Sequence, residues 1–402
     1  MLLERNRPEE AATMLMEAIA ENPGDAHNFV LLSRARMEIP GQRKQALEAI
    51  DVAVGLEPDN AWILTLKAHF LVRLDKDKEA LALAESAIAA DAREVFAWQT
   101  KTAALAGLKR WEEAEQACQE ALKIDPDSNY AHNLMAGILR AQGRLEESGM
   151  EVGKLLERNA EDPNALATNG WAALQAGDSK KAEAFFCDAL RIQPDFEAAR
   201  EGLKQSYKAR SLFYRLYLKW VFFMNRFTDG KQMMIIIGIY FAYRMGRSVF
   251  HEYPAIAALL FFLYIGFAFW GWLAPGIGDL LLLKDQQARL SLDPEEKFHG
   301  AVIGGGFFTG LCLLVAGMVL GRETSVAVLG GSLMGACIPA AAAFFNRTIG
   351  RYLFAGIALV ILGIGIFACI QDRTPYILLA ALLVMASTWL GSVSSLRHAP
   401  EY

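Results

Sequence analysis

The feature that most constrains the fold is a recurrence in the first half of the chain. Pro58, Ala92, Pro126, Ala160 and Pro194 stand 34 residues apart, each followed by a polar residue where a helical stretch stops. Pro23 stands 35 residues before Pro58, which places one inserted residue near "IPGQRKQ". A unit of this size is too short for a domain and long enough for two helices. Such a unit cannot bury its apolar faces alone, so copies stack into an array.

Small residues recur inside the period. Ala80, Ala114 and Ala182 lie twelve residues before the stop. Ala87, Ala121 and Ala189 lie five before it, each followed by Ile88, Leu122 or Leu190. Two antiparallel helices approach closely only where both carry small side chains, and Ala also has the best helix propensity. Gly143 and Gly177 sit seventeen before the stop, where a turn between helices needs a residue tolerant of positive φ. The period, the paired alanines, the turn glycine and the closing proline resemble the tetratricopeptide repeat family over about half the chain.

Repeats are expected near 26–60, 61–94, 95–128, 129–162 and 163–196. In the fourth, Ser148 and Leu155 replace the alanines, so less regular packing is expected there. Met1 falls about ten positions into a repeat, so the chain is read as opening inside a first helix, as a half repeat or with residues upstream. "EAAREGLKQSYKAR" reads as a capping helix with a polar outer side.

The resemblance implies that the first helix of each repeat lines a concave groove through its second, fifth, ninth, twelfth and thirteenth positions. Those positions give His27, Arg34, Trp62, His69, Arg73, Phe96, Gln99, Tyr130, Asn133, Arg140, Trp171 and Gln175. Aromatic and Arg side chains are enriched at binding hot spots. A competing reading is that some of the aromatics simply pack between neighbouring helices. The Lys/Asn pattern with which some family members clamp a C-terminal carboxylate is not apparent.

The second half has another character. Residues 211–228, "SLFYRLYLKWVFFMNRFT", are apolar and aromatic, broken by a cationic stripe of Arg215, Lys219 and Arg226. Such a helix lies well at a membrane interface, with Trp220 at the headgroups and the cations snorkelling; the alternative is docking on the repeats. Six candidate spans follow, at 232–250, 254–274, 300–320, 324–345, 352–370 and 375–395, each near the roughly 20 residues a bilayer core requires. The first is weakened by Arg244 and Arg247, and Pro275 is expected to end the second and start an amphipathic segment along the membrane face. With six spans and the repeats inside, thirteen Lys and Arg flank the inner side and four the outer. This expectation places the repeats, the 284–298 loop and Tyr402 in the cytoplasm, at a cell (inner) membrane.

Several function classes find no support in the residues. A net charge of −5 gives no reason to expect nucleic-acid binding. The opening "MLLERNRPEEAA" lacks the apolar core of a signal peptide. His27, His69, His132, His251, His299 and His398 are scattered, with no metal-ligand spacing and no local nucleophile set. The "GGG" at 304–306 lies inside an apolar segment, which disfavours phosphate cradling. Cys118, Cys187, Cys312, Cys337 and Cys369 show no paired spacing and are read as buried, inert thiols. The later spans carry no charge in their middles, which argues against a proton relay. Small residues spaced by four instead favour tight helix packing: Gly300 with Gly304, Gly306 with Gly310, and Ala327, Gly331 and Gly335.

The sequence therefore reads as all-α: a superhelical array over 1–210, an amphipathic interfacial helix over 211–231 and a polytopic transmembrane bundle over 232–402. The expected role is a non-enzymatic, membrane-anchored scaffold that holds a protein or peptide partner, with no cofactor. A membrane-protein complex or homo-oligomer is compatible with this. A regulatory or structural subunit of a transporter or channel is the second reading, and a membrane enzyme the third.

Overall fold

In a computed structural model of the protein, residues 7–283, 292–319, 324–344, 349–371, 379–380, 382–384 and 386–387 are described. Most of the expected span at 375–395, part of the 284–298 loop, the first six residues, His398 and Tyr402 lie outside them. Among the described residues there are helices and no strands.

The repeats fall where the recurrence places them. α1 (Pro8–Glu21) is followed by five pairs: α2 (Ala26–Glu38) with α3 (Arg43–Leu56), α4 (Ala61–Arg73) with α5 (Asp77–Ala90), α6 (Val95–Gly107) with α7 (Trp111–Ile124), α8 (Asn129–Gln142) with α9 (Leu145–Arg158), and α10 (Pro163–Ala176) with α11 (Ser179–Ile192). α1 packs on α2 as the second helix of a half repeat. The inserted residue sits in the α2–α3 turn, Ile39 to Gln42, which is one residue longer than the turn after α4.

Two local devices repeat with the array. Each pair turns through one residue with positive φ: Gly41 (78°), Asp75 (56°), Lys109 (57°), Gly143 (85°) and Gly177 (93°). Each first helix is capped by a polar side chain that accepts from its first-turn N–H groups: Asp25, Asn60, Glu94, Ser128 and Asp162. The alanines at 80, 87, 114, 121, 182 and 189 are fully buried between paired helices. The fourth repeat absorbs its two departures. Ser148 is buried and donates its hydroxyl to the Ala136 carbonyl at 2.8 Å, while Leu155 packs against Ala136 and Ala165.

First helices pack on first helices along the array: α4 on α6, α6 on α8, and α8 on α10. α12 (Glu197–Lys208) continues the row and packs on α10 and α11. Its outer side does not simply face water. It carries Lys204 and Lys208 to acidic residues of the C-terminal half.

That half contains α13 (Leu212–Met224), α14 (Asp229–Val249), α15 (Pro254–Leu283), α16 (Pro294–His299), a π-helical segment (Gly300–Gly305), α17 (Gly306–Val319), α18 (Thr324–Phe344) and α19 (Ile349–Gln371). Among the described residues three stretches are long and apolar enough to cross a membrane: Pro294–Gly317, Val326–Ala343 and Gly350–Gln371. α15 departs from expectation. It runs unbroken through Pro275 for 30 residues, and its end is packed rather than laid along a surface. Leu273, Ala274, Ile277, Asp279 and Leu282 are buried, because α12, α13, α16 and the π-helical segment all close on this part of the helix. α14 has no buried residue; it packs on α15, where Tyr243 stacks on Tyr264 with ring centroids 4.5 Å apart.

The small residues act as close-contact points. A methyl group on Gly300 would fall 2.8 Å from the backbone of Asp279, and one on Gly310 would fall 2.8 Å from the Gly330 carbonyl. The reading of the cysteines needs correction. Cys118 and Cys337 are buried and Cys369 is half-buried, whereas Cys187 and Cys312 are exposed on their helices. Burial pushes the Cys118 thiol up to about 12.

Candidate functional site

The twelve residues expected to line a groove all lie on first helices. His27 and Arg34 stand on α2; Trp62, His69 and Arg73 on α4; Phe96 and Gln99 on α6; Tyr130, Asn133 and Arg140 on α8; Trp171 and Gln175 on α10. They are not equivalent. Trp62 and Tyr130 are the open aromatics, 38% and 42% exposed. His69 packs its ring on Phe96 of the next repeat at 5.2 Å. Burial, and then the charge of Arg73, lowers the pKa of His69 from its ordinary 6.5. Arg73 pairs with Glu38 at 2.7 Å.

Other members of the set serve the scaffold. Gln99 is buried and donates to the hydroxyl of Ser128, the cap of α8, at 2.7 Å. Gln175 donates to the Arg140 carbonyl at 3.1 Å. Trp171 sets its ring edge-on to Phe186 at 5.5 Å and so belongs partly to the core. His27 and Arg34 are exposed, and Asn133 is half-buried.

The four residues expected at a membrane interface lie on or just beyond α13, which docks along the turn edge of the array. The Arg226 carbonyl accepts from the Trp111 indole at 3.0 Å, and the Arg226 guanidinium fills the space beside Gly143. Lys109 pairs with Asp229 at 2.9 Å, Lys219 lies beside Gly177, and Arg215 donates to the Ala209 carbonyl at 3.2 Å. Trp220 is held between Phe223 and Phe267 of α15. The opposite side of α13 leaves Leu212, Leu216 and Phe223 exposed.

A second site was not anticipated. Lys208 of α12, Asp279 of α15 and His299 of α16 meet in the interior, all at most 6% exposed. Lys208 Nζ is 2.6 Å from one Asp279 oxygen, and His299 Nδ1 is 2.7 Å from the other. Glycines make the approach possible. Methyl groups on Gly276, Gly278 and Gly304 would fall 2.6 Å from Ile303, 2.7 Å from Tyr214 and 2.6 Å from Leu280. The π-helical segment begins immediately after His299, the kind of local widening often found at functional positions.

Beside this cluster lies a cavity of about 650 Å³, lined by Trp171 and Glu201 of the array, Tyr214 and Tyr217 of α13, Pro275 of α15 and Glu296 of α16, among others. Tyr214 is buried, donates to Gln205 at 2.8 Å, and is held by burial well above the usual phenol pKa. Lys204 meets both Glu296 oxygens at 3.0 Å. Asp279 is the lone acid in a long apolar run and His299 follows a capping box at Asp293, but neither signal alone brings the two together.

Comparison with known proteins bears on the array. Residues 165–196 match the model of the tetratricopeptide repeat. The helical repeats are tetratricopeptide-like. The chain is 27% identical over 164 residues to Protein STIP1 homolog of Dictyostelium discoideum, covering 40% of this chain and 26% of that protein. It is 30% identical over 112 residues to DnaJ homolog subfamily C member 7 homolog of Schizosaccharomyces pombe (strain 972 / ATCC 24843), covering 27% of this chain and 23% of that protein. The chain thus spans about a quarter of the length of these curated relatives. Among solved structures, YrrB, a TPR protein with an unusual peptide-binding site, is 22% identical with a TM-score of 0.34, covering 48% of this chain and 100% of that chain. PilW, a type IV pilus biogenesis factor, is 19% identical with a TM-score of 0.43, covering 50% of this chain and 93% of that chain. The tetratricopeptide-like array and the three apolar helices that follow it set the frame for function.

Proposed function

We propose that the chain is a membrane-anchored scaffold whose tetratricopeptide-like array holds a protein partner beside a helical bundle. The observation that supports the reading is the packing of first helices on first helices, with the rings of Trp62 and Tyr130 open on two of them; the groove pattern expects Arg34 and Arg73 on the same face. Repeats of this type recognise peptide segments through such faces, and large aromatic and Arg side chains supply most of the affinity where they do.

Anchoring rests on the three apolar helices and on the outward surface of α19, where Tyr352, Leu359 and Ile370 are each at least 69% exposed, a composition that hydrocarbon tolerates and water does not. The excess of Lys and Arg on one side of the expected spans favours a cytoplasmic array.

The test is partner capture from native membranes by the wild type and by Trp62→Ala/Tyr130→Ala. Loss of two aromatic anchors is expected to weaken capture about a hundredfold, with helix content and membrane insertion unchanged. Unchanged recovery of every partner by the folded variant would move the docking surface elsewhere.

A further inference from the structure

We propose that the junction cavity is a binding site for a singly charged organic cation, a substituted ammonium on an apolar or aromatic body. The proposal does not depend on what the groove binds.

The size is that of a small-molecule site, and such sites occur preferentially where two structural units meet. Charge sets the sign of the ligand. Four carboxylates line the cavity, Glu201, Asp279, Glu295 and Glu296, against Lys208 and His299. Lys208 and His299 are both committed to Asp279. Lys204 reaches in to Glu296 at 3.0 Å, while Arg351 stands 3.8 Å from Glu295 in a loose, exposed contact. Glu201 accepts from Gln205, a neutral amide, at 2.6 Å. With Glu295 held only loosely by Arg351, Glu201, whose partner is a neutral amide, is a lining carboxylate left open to a cation.

The walls set the body of the ligand. Trp171, Tyr214, Tyr217 and Phe222 line the same space, with Leu218 and Val221 beside them. Aromatic faces attract an organic cation, which is weakly hydrated and loses little on leaving water. A metal ion would instead ask for converging oxygen ligands, and among the described residues no group of three His, Cys, Asp or Glu side chains is placed to hold one. An anion would meet the carboxylates of Glu201 and Glu296.

The experiment is calorimetric titration of the full chain, purified in an uncharged maltoside detergent, with benzyltrimethylammonium. Its counterpart is 3-phenylpropionate, of similar size and opposite charge. The ammonium is expected to bind at least tenfold more tightly than the carboxylate. Glu201→Gln/Glu295→Gln changes two exposed side chains outside the buried ion cluster, and it is expected to weaken the ammonium at least tenfold. Trp171→Phe is expected to weaken it less, and Trp62→Ala/Tyr130→Ala not at all. Absence of ammonium binding by wild type, equal binding of the carboxylate, or wild-type affinity in the Glu double variant would each overturn the proposal. Repeating the titration in nanodiscs separates two sources. Weaker ammonium binding in phosphatidylcholine than in an uncharged galactolipid assigns the natural ligand to a lipid headgroup, and equal binding assigns it to a soluble cation.

Discussion

His69 shows how one side chain links packing to solution conditions. Its ring is sandwiched between repeats, and burial followed by the nearby Arg73 charge disfavours its protonated form. A histidine with a folded pKa below its unfolded value is destabilising when charged. The array should therefore keep its full stability above about pH 6.5 and lose part of it as pH falls through the lower folded value. His69→Gln is expected to flatten the decline in melting temperature between about pH 7 and pH 5. An unchanged slope would assign the decline to other groups. Residue identity was legible here, since the period alone put His69 and Phe96 on successive first helices. The roles of Gln99 and Gln175 were not. A position can face the groove while its side chain reaches sideways to a neighbour's cap or carbonyl, and spacing says nothing about reach.

At the level of elements, the turns and caps specify the array as much as the alanines do. Gly143 combines a φ of 85° with a space filled by the Arg226 guanidinium. Gly143→Ala should cost about 1–2 kcal/mol from the backbone alone, more if Arg226 is displaced. Gly55→Ala, exposed in the last turn of α3 with open space around it, should instead stabilise by up to about 1 kcal/mol. Thermal melts followed by helix signal compare the two, and equal effects would show that turn geometry is not the cause. The recurrence exposed Gly143 and Gly177. It hid Asp75 and Lys109, whose side chains do not announce a left-handed turn. Pro275 misled for a related reason. A proline removes one backbone bond, and burial of the flanking residues between four neighbouring elements outweighs that loss.

At the level of the whole molecule, the array and the bundle are joined by charge inside a low-dielectric interior. Removing one member of a buried ion pair leaves the other uncompensated, at a cost of about 3–5 kcal/mol. Asp279→Ala should therefore loosen the junction while leaving the repeats folded. Limited proteolysis would read this as new cleavage between α12 and α14; a wild-type pattern would mean that α13 alone holds the halves together. Orientation is tested separately. A reporter fused after Tyr402 should be inactive if it works only outside the cytoplasm, and activity there would favour an odd number of crossings. This junction was the least legible part of the sequence. Its residues are far apart in the chain, and no period connects a repeat to a single-copy bundle.

The same separation fixes an order of assembly. Lys204 and its partner Glu296 are 92 residues apart, and Asp279 and His299 are 20 apart. During synthesis the repeats emerge and fold first, each on contacts close in sequence. α12 then waits as a hydrated helix end until the chain has delivered α15 and α16. The cluster can close as soon as α15 and α16 have been delivered, so its closure reports that these two elements have been placed on the array, and not α17 to α19, which are made after them.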